Sequence, residues 1–275
     1  MDSTKHNRLS NVFKNRKKDD KVMNLFITAG FPAIEDTVDL ILGYEKNGAD
    51  IIELGMPFSD PLADGPTIQF SSEIAIQNGI DMESIFEMVR KVRLKSNIPI
   101  VLMGYLNPVL FYGLEPFFKQ AGLAGVDGLI LPDVPVEESG IIDEFSKRYD
   151  VPLIYLVAPN STDERMKLVD KKSNGFVYCV SVTGVTGARK GSEVNDSVER
   201  FIKRVNTNIT KNPVLIGFGI SSFEDARHIS REAHGFVVGS ALINNIRALS
   251  NQKNWKIKHL EFVHSLKYGT AISVS

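Results

Sequence analysis

The chain has 275 residues, of which 43% are hydrophobic and 24% charged, with a formal net charge of −1. That length supports a large buried core, and the near-neutral balance gives no basis for a nucleic-acid or anionic-membrane partner. No apolar run reaches the roughly 20 residues a bilayer span requires, and a single cysteine, Cys179, excludes a disulfide framework.

Hydrophobic periodicity gives the elements in order. Residues 1–20 are polar and basic, with Leu9, Val12 and Phe13 on one face of an expected helix, and they lack the apolar centre of a secretory signal. A strand at 24–30 ends at Gly30 and Pro32, and a helix at about 34–47 stops at Gly48. The second strand, 51–55, runs into a loop rich in Pro, Asp and Gly. Helices follow at about 71–77 and 82–95, then a strand at 98–103 and a helix at about 114–121. Strands at 127–131 and 151–157 flank a helix at about 137–147. A helix at about 163–171 leads to a strand at 176–181 and a glycine-rich loop. A helix at about 196–205 precedes a strand at 213–219. Ser222 and Asp225 then carry a capping-box-like signal. A strand at 235–239 and helices at about 241–249 and 255–267 close the chain.

Eight strands alternate with helices, without a linker or low-complexity segment. That pattern predicts an α/β fold: one closed (β/α)8 TIM barrel over residues 1–275, with residues 1–20 as an extra N-terminal helical extension. A doubly wound open sheet is the alternative. It calls for a glycine-rich dinucleotide fingerprint after the first strand, and Thr28-Ala29-Gly30-Phe31-Pro32 is not one.

In a barrel the chemistry sits at the C-terminal ends of the strands. Glu53 lies within the apolar run Ile51-Ile52-Glu53-Leu54-Gly55, where loss of water raises a carboxyl pKa towards neutrality and suits it to give and take a proton. Asp60 and Asp64 follow on the loop, where water keeps a carboxylate ionised. One shielded acid beside wetter ones is an acid/base arrangement. The competing reading makes Glu53 a paired structural charge and the aspartates turn caps. Tyr105, Asn107, Asp133 and Tyr178 stand at other strand ends. Glycine-rich segments at 183–189, 217–221 and 239–240 follow strands six, seven and eight, and the ends of strands seven and eight are where barrels recurrently hold phosphate on backbone N–H groups. Gly219 and Gly239 could instead only ease tight turns. The five histidines show no metal-ligand spacing, so no metal is expected. The residue pattern thus reaches a barrel enzyme acting on a small phosphorylated substrate and does not name that substrate.

The stretch ELGMPFSDPLADGPTIQ, residues 53–69, closely resembles the signature of the tryptophan synthase alpha chain family. Residues 132–138 (PDVPVEE), 181–187 (SVTGVTG) and 217–221 (GFGIS) support the resemblance, which spreads from Phe26 to Ala241. It implies retro-aldol cleavage of indole-3-glycerol phosphate to indole and D-glyceraldehyde 3-phosphate. By position, Glu53 matches the general acid/base and Asp64 its partner carboxylate at the indole nitrogen. Phe26, Ile68, Met103, Tyr105, Tyr178 and Phe218 would line the indole pocket. Gly187, Gly219, Gly239 and Ser240 match phosphate-binding positions, and Asp60 and Thr186 match segments that close over the site. One departure falls at Val182, where many members carry arginine. The resemblance further implies no cofactor in this chain. It implies a pyridoxal-phosphate beta chain as partner in an α₂β₂ heterotetramer, received on loops 57–69, 107–111 and 132–139 with Phe111 and Tyr112 as anchors. A free-standing lyase releasing indole is the alternative. A ligand-binding pseudo-enzyme needs a broken carboxylate pair, and a flavin or sugar-phosphate barrel enzyme of another family leaves residues 53–69 unexplained. The expected compartment is the cytoplasm, with a plastid stroma as the alternative.

Overall fold

The computed structural model describes residues 8–14, 16, 17, 19–180, 192–217 and 219–269. The chain opens with α1 (Arg8–Lys14), β1 (Val22–Thr28), α2 (Asp36–Lys46) and β2 (Ile51–Gly55). Then come α3 (Pro66–Gln77), α4 (Met82–Arg93), β3 (Ile100–Met103), α5 (Leu106–Tyr112), α6 (Leu114–Ala124) and β4 (Gly128–Ile130). The second half runs α7 (Gly140–Tyr149), β5 (Leu156–Val157), α8 (Asp163–Lys172), β6 (Val177–Val180), α9 (Ser192–Asn208) and β7 (Val214–Gly217). It ends with α10 (Phe223–Ile229), β8 (Gly235–Val238), α11 (Ser240–Leu249) and α12 (Trp255–Tyr268). None of these helices is long and apolar enough to cross a membrane.

The strands are all parallel, in the order β4-β3-β2-β1-β8-β7-β6-β5. The two ends of that sheet meet. Leu129 bridges Leu153 in parallel, its N–H donating to the Pro152 carbonyl at 2.8 Å and its carbonyl accepting from Ile154 N–H at 3.0 Å. The sheet therefore closes into the expected (β/α)8 barrel. The strands are short apolar runs because both faces are covered. Outward residues such as Leu25, Ile52, Leu54, Leu102 and Ile216 pack under the helices. Inward residues Val22, Ile51, Val101, Ile130, Ile154, Phe176, Tyr178, Leu215 and Val237 fill the barrel, with Leu9 of α1 as a plug at its base.

Several bounds differ from expectation, and three of the differences matter for the site. Only Leu156–Val157 of the expected fifth strand joins the ladder. Pro152 has no N–H to donate, and of the expected strand residues ahead of Leu156 only Leu153 forms a bridge. The helix expected at about 71 starts at Pro66, with Gly65 as its N-cap residue and proline at a position that needs no N–H. The segment at 106–112, read as loop, is α5. Its first N–H, from Leu106, donates to both Asp133 oxygens at 3.1 and 3.0 Å. That cap comes from a residue far along the chain, so no local pattern announced the helix.

Candidate active site

β1 and β2 place two fully buried polar side chains, Asn24 and Glu53, inside the barrel. In their register Phe26 lies opposite Glu53, and Asn24 opposite Ile51. Successive side chains alternate across a strand, so Asn24, Phe26 and Thr28 of β1 share the inner face with Ile51, Glu53 and Gly55 of β2. Glu53 is fully buried, and its Oε1 accepts a hydrogen bond from Asn24 Nδ2 at 2.5 Å. Burial pushes the Glu53 carboxyl up to about 8, against the opposing pull of the Asn24 amide. Glu53 Oε2 and Asn24 Oδ1 have no hydrogen-bond partner among the described residues.

Above this pair a small, partly open cleft lies at the C-terminal ends of β1–β3. Its lining includes Phe26, Thr28, Asp64, Ile68, Met103 and Tyr105. Gly55 makes room for the Phe26 ring, because a Cβ there would lie 2.5 Å from Phe26 Cζ. Gly217 does the same for Tyr178, whose hydroxyl would stand 2.7 Å from an added Cβ. Tyr178 is buried across the barrel, its phenol held protonated by burial and then by the nearby Glu53 carboxyl.

Asp64 is half-buried on the loop after β2. Desolvation raises its carboxyl, and the neighbouring Tyr105 hydroxyl holds it back. The sequence reading left this group to water. The loop instead folds over the cleft, with Ala63 N–H donating to Tyr105 Oη at 3.0 Å and Gln69 Nε2 to the Asp64 carbonyl at 2.8 Å. Asp60 stays exposed and accepts a hydrogen bond from its neighbour Ser59.

The structure thus brings Phe26, Asp64, Ile68, Met103 and Tyr105 into one cleft, with Glu53 beneath it. Gly239 stands behind Phe26, where an added Cβ would lie 3.5 Å from Phe26 Cβ. Ser240 opens α11, whose N-terminus no side chain among the described residues caps. Gly219 is exposed after β7 with φ +57°. Gly219, Gly239 and Ser240 do not line the cleft. Phe218, Val182 and the whole loop at 183–189, with Thr186 and Gly187, lie outside the described residues.

Asn24 escaped the sequence reading because the expected strand began at that residue. β1 begins at Val22, which puts Asn24 inside the strand on the face of Phe26. A polar residue two before an inward aromatic in an apolar run was the available signal. Tyr112, expected as a surface anchor, is turned inward. Its ring packs on Phe86 and Phe117, and its hydroxyl donates to Glu83 at 2.9 Å. Phe111 is 97% exposed and Leu62 92% exposed.

Comparison with known proteins agrees on one family. The family model described as tryptophan synthase alpha chain matches residues 13–271. A tryptophan synthase alpha chain of Thermoanaerobacter sp. (strain X514) is 46% identical over 262 residues, covering 95% of this chain and 98% of that relative. A crystal structure of the tryptophan synthase alpha chain from Legionella pneumophila superposes with a TM-score of 0.85 at 35% identity, covering 95% of this chain and 96% of that one. A chain in the crystal structure of the tryptophan synthase complex from Pyrococcus furiosus superposes with a TM-score of 0.81 at 34% identity, covering 92% of this chain and 99% of that one.

Proposed function

The chain belongs to the tryptophan synthase alpha chain family, and from that premise we propose that it cleaves indole-3-glycerol phosphate to indole and D-glyceraldehyde 3-phosphate, as a carbon–carbon lyase of the aldol type. One observation carries the reading. Glu53 is fully buried beneath the cleft, with its carboxyl pushed up to about 8. At neutral pH such a group holds a proton it can give and later recover.

In this mechanism Glu53 passes its proton to C3 of the indole ring, which becomes an electron sink with positive charge at N1. The ionised Glu53 then takes the proton of the hydroxyl on the adjacent glycerol carbon. The O–H electron pair forms the aldehyde C=O while the bond from that carbon to C3 breaks and its pair returns to the ring. Indole and the aldehyde leave, and Glu53 is protonated again. Asp64 accepts the N1–H hydrogen bond and stabilises the positive charge as it develops. Phe26, Ile68, Met103, Tyr105, Tyr178 and Phe218 enclose the indole. Gly187, Gly219, Gly239 and Ser240 hold the phosphate, and Asp60 and Thr186 belong to loops that close over the bound substrate.

The same reading takes residues 1–275 as one cytoplasmic barrel domain with no cofactor of its own, residues 1–20 forming a helical extension. It pairs the chain with a pyridoxal-phosphate beta chain in an α₂β₂ assembly, which receives the indole and makes L-tryptophan. The exposed Phe111 and Leu62, on the face where the cleft opens, support that side as the docking surface.

The test is indole release from indole-3-glycerol phosphate by the purified chain, with and without a tryptophan synthase beta chain, alongside Glu53→Gln. The expected result is a basal rate that rises with the partner and falls by about 10²–10⁴-fold in the folded variant. A fast rate indifferent to the partner means a free-standing lyase. A folded, active Glu53→Gln protein overturns the mechanism.

A further inference from the structure

The barrel interior is apolar apart from a few groups, and at the level of Asn24 its neighbours across the strands are Ile51 and Val237. Asn24 is fully buried there. Its side-chain amide makes one hydrogen bond, to Glu53 Oε1, while its own Oδ1 and Glu53 Oε2 have no partner among the described residues. Leaving a buried polar atom unpaired costs about 1–3 kcal/mol. An aliphatic side chain at this position would remove that cost for the amide oxygen, so core packing alone does not account for an asparagine.

We propose that Asn24 is a positioning residue for Glu53: its amide fixes the carboxyl through Oε1 and leaves Oε2 as the oxygen that exchanges the proton with substrate. The proposal deepens the lyase reading above and rests on it. An amide suits the task because its N–H donates and does not ionise near neutral pH. Nδ2 donates to Oε1 of the ionised carboxylate. When Oε2 carries the proton, Oε1 is the carbonyl oxygen of the acid and accepts the same hydrogen bond. Asn24 therefore supports Glu53 in both states of the cycle and itself neither gains nor loses a proton. Nδ2 also draws the Glu53 carboxyl down against the upward push of burial, which keeps both states within reach near neutral pH.

The other titratable groups around Glu53 do not replace this contact. Tyr178 reaches towards it from β6 with its phenol held protonated, and Asp64 and Tyr105 line the cleft above. Val101, opposite Glu53 on β3, is apolar.

The experiment compares the wild-type chain with Asn24→Leu, which keeps the branched shape and removes both polar atoms, and with the smaller Asn24→Val should the leucine variant misfold. Two readouts are needed. Steady-state kinetics of indole release should show kcat reduced about 10- to 100-fold with KM little changed, and the ionisation limb of the kcat–pH profile moved to higher pH. Independently of turnover, ¹³C NMR titration of the Glu53 side-chain carboxyl, assigned against Glu53→Gln, should move to higher pH in the variant. An unmoved titration overturns the proposal, as does a variant whose only change is a raised KM or lowered Tm. A folded wild-type chain that releases no indole removes the lyase reading, and the titration still decides whether Asn24 governs Glu53.

Discussion

Glu53 departs from the rule that carboxylates stay wet, and the departure is measurable in the fold's own stability. Its carboxyl is pushed from the ordinary 4.5 up to about 8. Between those pH values the folded chain holds a proton that the unfolded chain has released. Stability contributed by this group is therefore complete below about pH 4.5 and lost as pH rises through 8, on the order of 5 kcal/mol in all. Glutamine copies the neutral acid and cannot ionise. Glu53→Gln should match the wild type in unfolding free energy at pH 5 and exceed it by several kcal/mol at pH 9, read by urea denaturation at each pH. A difference independent of pH would contradict the assigned burial of charge. At the same scale Gly55 and Gly217 act by what they lack, since a methyl group on either collides with Phe26 or Tyr178. The missing side chain of Gly55 seats Phe26 in the cleft, and that of Gly217 seats Tyr178 in the barrel interior.

Among the elements, α1 is short yet fixed at both ends of its contact. Leu9 enters the barrel-interior cluster, and a Cβ on Gly175 would lie 2.3 Å from Leu9 Cδ2. Arg8 donates to Asp127 Oδ1 at 2.7 Å and to the Gly125 carbonyl at 3.0 Å. Leu9→Ala empties the base of the barrel and should cost about 2–5 kcal/mol, measured by chemical unfolding. A second tie joins three helices. The fully buried His259 of α12 bonds Tyr44 of α2 through Nε2 and Asn245 of α11 through Nδ1, each at 2.7 Å. Burial lowers its pKa from 6.5 to about 4. As pH falls through that window the unfolded chain binds a proton that the folded chain refuses, so stability declines by on the order of 3 kcal/mol. His259→Gln should flatten the slope of Tm between pH 6.5 and 4. An unchanged slope would assign acid sensitivity to other groups.

For the whole molecule, barrel closure gathers the strand ends on one face, and that face also carries exposed Phe111 at the end of α5 and Leu62 on the loop after β2. A fully exposed aromatic beside a site reads as an anchor for a partner. Phe111→Asp should weaken binding of a tryptophan synthase beta chain by about tenfold or more in titration calorimetry, with the Tm retained. Equal affinity would move the docking surface elsewhere. Asp133 connects this face to the site. It caps α5 from the β4 loop and lies close enough to Tyr105 for its charge to add to the upward shift of that phenol.

The sequence by itself determined the eightfold alternation of apolar strands and amphipathic helices, the burial of Glu53 within Ile51–Gly55, and the caps built from near neighbours, such as Ser222 Oγ accepting from Asp225 N–H. Each is a local property, set by side-chain period or by residues within one turn of one another. Tertiary structure alone decided what depends on residues far apart in the chain. Asp133 makes a helix of 106–112, the barrel base is sealed by α1, Tyr105 draws the Asp64 loop inward and so dehydrates a carboxylate expected in water, and Tyr112 turns into the core on Phe86 and Phe117. The pairing of Asn24 with Glu53 is of the same kind. Its donor and acceptor meet only when β1 and β2 are laid in register, because a hydrogen bond depends on distance in space and strand periodicity gives only the face.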